Sequence, residues 1–156
     1  NPGGMTLRIE ALAMAMRLFE VPTGDDGPLT RADITGVPEW GIPYVNGALK
    51  KGIQLDYSQS WNTPISRREA AILLVAVSQG EIPLQTAIDK ASAYKDYREF
   101  KNDDGALRAI ESLSTFEIMQ GSEGYFKPNE YLRRSEFAAI NERTAKNIEI
   151  FPPSGG

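Results

Sequence analysis

Residues 124–140, GYFKPNEYLRRSEFAAI, join two different patterns within one short stretch. The first half combines aromatic residues with Lys127-Pro128-Asn129, which predicts a tight loop. The second half begins a helical pattern at Arg133-Arg134. Arginine is unfavourable beside the positive end of the helix dipole, but free amides and a guanidinium together suit an anion. The stretch therefore predicts a helix whose start is either an anion site or the place of an internal Arg-carboxylate pair.

The same pattern recurs along the chain. Helical stretches begin RIEALAMAMR at Arg8, RREAAILLVA at Arg67 and RSEFAAINER at Arg134. Each has a glutamate two residues after its arginine, at Glu10, Glu69 and Glu136. A preceding helix also repeats, since 39–53 aligns with 104–118. The sequence therefore predicts tandem helix-loop-helix repeats, two complete and one half.

Helical periodicity dominates the remaining sequence. It predicts helices at roughly 7–19, 40–51, 66–79, 83–93, 104–118 and 133–147. Short extended pieces are expected at 53–57 and 125–126, and no long alternating run indicates a sheet. The predicted fold class is all-α.

Composition excludes several functions. The 156 residues contain no Cys and no His, so thiolate chemistry, the Ser-His nucleophile pair and the usual zinc ligands are missing. A net charge of −4 argues against nucleic-acid binding. The most apolar run, 70–77, is too short to cross a membrane. The acidic clusters at 25–27 and 102–105 lack the spacing of calcium loops. We expect no catalytic residues, metal or cofactor.

These residues, taken in order, resemble S-layer homology (SLH) repeats. The family pattern has an aromatic-x-Asp opening, a Trp-containing first helix, a Phe-x-Pro-Asn loop and a second helix starting with Thr-Arg-Ala-Glu. The matching segments here are Tyr94–Tyr97, Glu39–Gly41, Phe126–Asn129, Ile65–Glu69 and Leu132–Glu136. The resemblance divides the chain into the second half of repeat 1 with a linker (1–28), repeat 2 (29–93), repeat 3 (94–150) and a loose tail (151–156).

The resemblance implies a non-catalytic anchor on the bacterial cell surface. Modules of this kind pack as a pseudo-threefold helical bundle. Grooves between their repeats bind secondary cell-wall polysaccharide, which often carries pyruvate ketals. The expected partner is therefore an anionic cell-wall glycan outside the cell, without nucleic acid or membrane insertion.

The helix-start chemistry indicates that the arginines bind the ligand, and the resemblance adds an aromatic side chain on which a sugar ring can stack. The candidate ligand-binding residues are Arg67, Trp40, Arg68, Arg134, Arg8 and Arg133. The motifs of repeats 1 and 3 depart from the family pattern, so we expect the Arg67/Trp40 region to be best preserved. Two alternatives stay open, namely internal Arg-carboxylate pairs and a tryptophan packed in the core.

The neighbouring residues have structural interpretations. Ser66 and Glu69 form a predicted capping box that starts a helix. Phe126 and Tyr125 are expected to anchor the loop, and Gly121 and Gly124 to permit its turns.

Two other functional hypotheses compete with the anchor. The first helix of repeat 1 is missing, so helix 7–19 would expose an apolar face unless an upstream segment or a swapped second chain covered it. That favours a structural or assembly module with degenerate grooves and no glycan affinity. A glycosidase is the third hypothesis, but no carboxylate pair among the 21 acidic residues stands out.

Overall fold

The computed structural model describes residues 4–29 and 31–148. These hold six α-helices: α1 (Arg8–Leu18), α2 (Ile42–Lys51), α3 (Arg67–Ser78), α4 (Asp89–Ala93), α5 (Asp104–Thr115) and α6 (Arg134–Ile148). Two 3-10 turns lie at Glu39–Gly41 and Tyr97–Glu99. Across this part of the chain only isolated β-bridges occur in place of strands, so the predicted all-α class is confirmed. The predicted tail at 151–156 lies outside the described residues.

The helix predicted at 83–93 is wrong over its first half, because only Asp89–Ala93 is helical. The amide of Gln85 donates to the Ser112 hydroxyl at 3.2 Å, so it is held by α5. The buried carboxylate of Glu111 then accepts from the amide of Ala91 at 2.9 Å and caps α4. Side chains of α5 thus override the local helical pattern.

Three extended segments, one ahead of each of α1, α3 and α6, form a closed cycle of backbone hydrogen bonds. The amide of Thr6 donates to the carbonyl of Leu132 at 2.8 Å. Leu132 donates to Ile65 at 3.1 Å, and Ile65 donates back to Thr6 at 2.9 Å. We call these three residues the central cycle.

A second set of bonds surrounds the central cycle. The first amide of each following helix donates to a carbonyl of another segment. The pairs are Arg8 to Thr63 at 2.9 Å, Arg67 to Glu130 at 2.8 Å and Arg134 to Gly4 at 2.9 Å. The starts of α1, α3 and α6 therefore converge on one region, although they lie far apart in the sequence.

Helix α1 lies in the middle of the packed helices. Its apolar residues Leu12, Ala15 and Met16 are fully buried, because α2, α3 and α6 pack around it. The apolar face that was expected to need an upstream segment or a second chain is thus covered within this chain. Among the described residues, no helix is both long enough and apolar enough to span a bilayer.

The hydroxyl of Thr6 is buried at the central cycle without a hydrogen-bond partner in the described chain. An unpaired buried hydroxyl costs about 1–3 kcal/mol. Thr6→Val keeps the shape and removes that cost, so we expect it to stabilise the protein by about 1 kcal/mol. Urea unfolding followed by circular dichroism measures the change.

Thr144→Val is the matched control, because the equally buried Thr144 hydroxyl donates to the carbonyl of Ile140 at 2.8 Å. This change should leave stability unaltered or lower it. A Thr6→Val protein no more stable than the natural chain would contradict the assignment.

Candidate functional site

The convergence of the helix starts sets arginines of one helix against glutamates of another. Each glutamate uses one oxygen to accept the amide before its own helix, with Glu10 bonding Leu7 at 2.8 Å. Its other oxygen is then available to an arginine. Arg8 Nε lies 3.1 Å from Glu69 Oε2, and Arg134 Nη2 lies 3.3 Å from Glu10 Oε2.

The third ion pair of this series would join Arg67 to Glu136, but it does not form. Glu136 accepts from the amide of Arg133 at 3.0 Å and interacts with Arg67 only at longer range. Among the described residues, no carboxylate lies within ion-pair distance of Arg67. One of the three helix-start arginines therefore has no ion-pair partner among the described residues.

Arg8 has the opposite environment. Its guanidinium is buried and donates to the carbonyls of Asp56 at 2.9 Å and Gln59 at 2.8 Å. It also lies over the Trp61 ring, 4.5 Å from the centroid. Burial lowers the pKa of Arg8, while the charge of Glu69 acts to raise it. The structure thus uses Arg8 as an internal tie and leaves it no face for a ligand.

Arg68 is also occupied inside the protein. Its Nη1 lies 3.2 Å from Asp103 Oδ2, and its Nη2 donates to the carbonyl of Glu99 at 2.7 Å and to Asn129 Oδ1 at 3.1 Å. Asp103 in turn accepts from the first turn of α5. Arg68 therefore joins the starts of α3 and α5.

Arg67 is half-buried at the wall of a pocket. Its Nε donates to the carbonyl of Phe126 at 2.8 Å, and the guanidinium lies 4.9 Å from the centroid of that ring. Burial is the main cause that lowers the pKa of Arg67. The Phe126 contact fixes the guanidinium, and no hydrogen bond within the described chain occupies its two terminal nitrogens.

The pocket has a volume of about 790 Å³ and lies between the start of α3, the segment 117–131 and α6. Its basic lining residues are Arg67, Lys127, Arg133 and Arg143, and its acidic ones are Glu117, Glu130 and Glu136. Of the predicted site residues, the structure brings Arg67 and Arg133 together here. Arg8, Arg68, Arg134 and Trp40 do not line the pocket. We call it the Arg67 pocket.

Lys127 and Arg143 belong to the pocket but were missing from the predicted site. Arg143 did have a signal in the sequence, because an arginine recurs nine residues after the helix-start arginine in α1 and α6, two of the three helices that begin with this motif. That periodicity indicates a shared position on the helix, but it does not indicate that the side chain reaches a pocket.

Trp40 lies on a different surface. It is 50% exposed on the 3-10 turn before α2, and its ring meets Tyr44 edge-on with centroids 6.3 Å apart. Arg17 Nε donates to the Tyr44 hydroxyl at 2.9 Å. Trp40 is thus an exposed aromatic residue rather than a core one, and it lies outside the Arg67 pocket.

The predicted capping box at the start of α3 is confirmed. The amide of Glu69 donates to Ser66 Oγ at 3.1 Å, and the amide of Ser66 donates to Glu69 Oε1 at 3.2 Å. The amides of Arg67 and Arg68 donate to the carbonyls of Glu130 and Pro128, both at 2.8 Å. The expectation that free helix-start amides share the anion with arginine is therefore wrong for α3, where only the guanidinium remains.

The loop beside the pocket is anchored by Asp96. Its buried carboxylate accepts the amides of Phe126 at 2.9 Å and Lys127 at 2.8 Å. Phe126 is fully buried, as expected of an anchor, whereas Tyr125 is 42% exposed and its ring contacts Lys95. Gly124 takes a φ of 87°, which glycine adopts without strain. Asp96 and Phe126 thus fix the carbonyl that holds Arg67.

Residues 94–138 match the model of the S-layer homology domain family. The match covers less than one third of the chain but includes α5, the anchored loop and the first turn of α6. It supports the family resemblance for the segment that builds most of the Arg67 pocket. Domains of this family are generally non-catalytic modules that anchor proteins to the cell wall. No curated protein sequence matches the chain.

Arg8→Met tests the structural role of the buried arginine. It removes the bonds to the carbonyls of Asp56 and Gln59 and leaves Glu69 without its cation. We expect a loss of about 3 kcal/mol in the free energy of unfolding. Urea unfolding measures it.

Arg108→Met is the control, because exposed Arg108 pairs only with exposed Asp104 on α5. Its effect should stay within about 0.5 kcal/mol. Equal stability of the Arg8→Met and Arg108→Met proteins would show that Arg8 is not a structural tie.

Proposed function

We propose that this chain is a non-catalytic anchoring module that binds an anionic, pyruvylated secondary cell-wall polysaccharide at the bacterial cell surface. The observation that carries the proposal is the open guanidinium of Arg67 in a pocket of about 790 Å³. That volume falls within the range of about 300–1,000 Å³ typical of small-ligand sites. The family match over residues 94–138 supplies the cell-wall context.

The chemistry of Arg67 suits a sugar carboxylate. A guanidinium presents parallel N–H donors that match the two oxygens of a carboxylate. The Phe126 carbonyl occupies only Nε, so the terminal nitrogens remain for the ligand. Burial disfavours the charged form of Arg67, and a carboxylate of the ligand would stabilise that charged form.

Other lining residues suit the rest of a saccharide. Tyr131 is 56% exposed and offers a flat apolar face to a sugar ring. Glu130 and Gln120 provide acceptors and donors for hydroxyl groups. Arg133 adds a second positive side chain at the start of α6.

The arrangement of repeats forms part of the proposal. We infer that segments 1–28, 29–93 and 94–150 are two and a half repeats arranged with pseudo-threefold symmetry. The central cycle supports this, since each segment ahead of a helix bonds to the next one in turn. Two of the three helix-start junctions are closed by internal ion pairs, so the expected stoichiometry is one glycan per chain.

The structural or assembly module remains the second candidate. The same two internal ion pairs favour this module, because they make Arg8 unavailable and Arg134 less available to a ligand. On this hypothesis the chain has no glycan affinity and acts through contacts with other proteins or with a second copy.

Arg67→Ala separates the two candidates. It removes charged hydrogen bonds worth about 1.5–3 kcal/mol, so the affinity for purified pyruvylated wall polysaccharide should fall at least about tenfold. Calorimetric titration measures the affinity, and circular dichroism checks the fold.

Arg108→Ala makes the same charge change outside the pocket and should bind like the natural chain. Co-sedimentation with walls stripped of their secondary polysaccharide completes the test. Equal binding to intact and stripped walls, or full affinity of the Arg67→Ala protein, would refute the proposed site.

A further inference from the structure

We propose that Arg143 is the second arm of the anion site, and that it grips a single carboxylate or phosphate of the polysaccharide together with Arg67. This inference rests on the proposed function of the Arg67 pocket. It assigns a ligand contact to a residue outside the helix-start motif.

The position of Arg143 follows from α6. It lies nine residues after Arg134, so the helical rise places it roughly 13 Å further along the helix axis. It lines the same pocket as Arg67, from α6. Its Nη1 donates to the carbonyl of Ile118 at 3.4 Å, which restrains the guanidinium without neutralising it.

The charges favour an anion between the two arginines. No carboxylate of the described residues lies within ion-pair distance of Arg67 or Arg143. Burial is the largest cause that lowers the pKa of Arg67, while Glu136 and Glu130 act to raise it from beyond ion-pair distance. Arg143, which lines the same pocket, acts to lower it, so the two guanidinium groups repel each other. An oxyanion bound to both would replace this repulsion with two charge-assisted contacts. A neutral sugar would leave this repulsion in place.

The other repeats show that this pairing is specific to one junction. The residue equivalent to Arg143 is Arg17 in α1 and Ala76 in α3. Arg17 is engaged with Tyr44, whose hydroxyl it bonds and whose ring it covers at 5.1 Å from the centroid. Among α1, α3 and α6, only α6 thus places an arginine at this position beside a helix-start arginine, Arg67, that has no ion pair within the described residues.

The experiment is a double-mutant cycle on the full chain. Arg143→Ala, Arg67→Ala and the double variant are titrated calorimetrically with purified pyruvylated wall polysaccharide. We expect Arg143→Ala to weaken binding about tenfold, and the double variant to lose less than the product of the two single losses. Arg143→Lys should recover part of the affinity, because it keeps the charge but not the planar fork.

Two treatments of the polysaccharide distinguish the source of the anion. Mild acid removes ketal-linked pyruvate, and hydrofluoric acid removes phosphate esters. The treatment that abolishes the difference between the natural chain and Arg143→Ala identifies the group held by both arginines. If the difference survives both treatments, the single-oxyanion inference is wrong.

Arg17→Ala is the matched control, since it removes the equivalent arginine outside the pocket and should bind normally. Unchanged affinity of Arg143→Ala beside a weakened Arg67→Ala would overturn this inference and leave the proposed function intact. Strictly multiplicative losses would also overturn it. Failure of the natural chain to bind any wall polysaccharide would instead overturn the proposed function itself.

Discussion

The backbone hydrogen bonds among Thr6, Ile65 and Leu132 fix the geometry on which the site depends. Each of these residues lies in an extended segment just before a helix, where its amide and carbonyl have no helical partner. Bonding to one another satisfies these groups in a buried location. As a result, three helices from distant parts of the chain start side by side, and residues at equivalent helix positions face residues of a neighbouring helix.

That convergence has an electrostatic cost which the glutamates offset. Three positive helix ends and three arginines meet in one region. Each glutamate at the third helical position bonds its own preceding amide and leaves a second oxygen for an arginine of another helix. Two of these ion pairs form, and the third remains open at Arg67. The open pair lies at the Arg67 pocket, since both Arg67 and Glu136 line it.

Local patterns predicted the parts of the fold that local interactions determine. The helix periods, the Ser66–Glu69 cap and the buried Phe126 follow from spacing and side-chain chemistry. The errors arise where distant segments compete for the same groups. Residues 83–88 were predicted helical but bond to α5 instead. The α3 amides were expected to be free but bond to residues 128 and 130. Local sequence patterns do not indicate which distant residues will bond to each other.

The contrast between Arg8 and Arg67 shows that the facing loop, rather than the arginine motif, determines which donors of a helix-start guanidinium are used within the chain. Both arginines occupy the first helical position, and both lie over an aromatic ring, Trp61 or Phe126. The loop before α3 turns the carbonyls of residues 56, 59 and 60 onto the Arg8 guanidinium and occupies its donors.

The loop before α6 closes on itself, since Ser122 and Tyr125 exchange backbone hydrogen bonds at 2.8 and 2.9 Å. The carbonyls of Ser122 and Tyr125 are therefore used within the turn. Among the described residues, only the carbonyl of Phe126 accepts from the Arg67 guanidinium. Backbone bonds within the turn leave the terminal nitrogens of Arg67 without a hydrogen-bond partner in the described chain, whereas loop carbonyls occupy those of Arg8. The arginine at the start of the helix is thus a structural tie in the case of Arg8 and the candidate anion site in the case of Arg67.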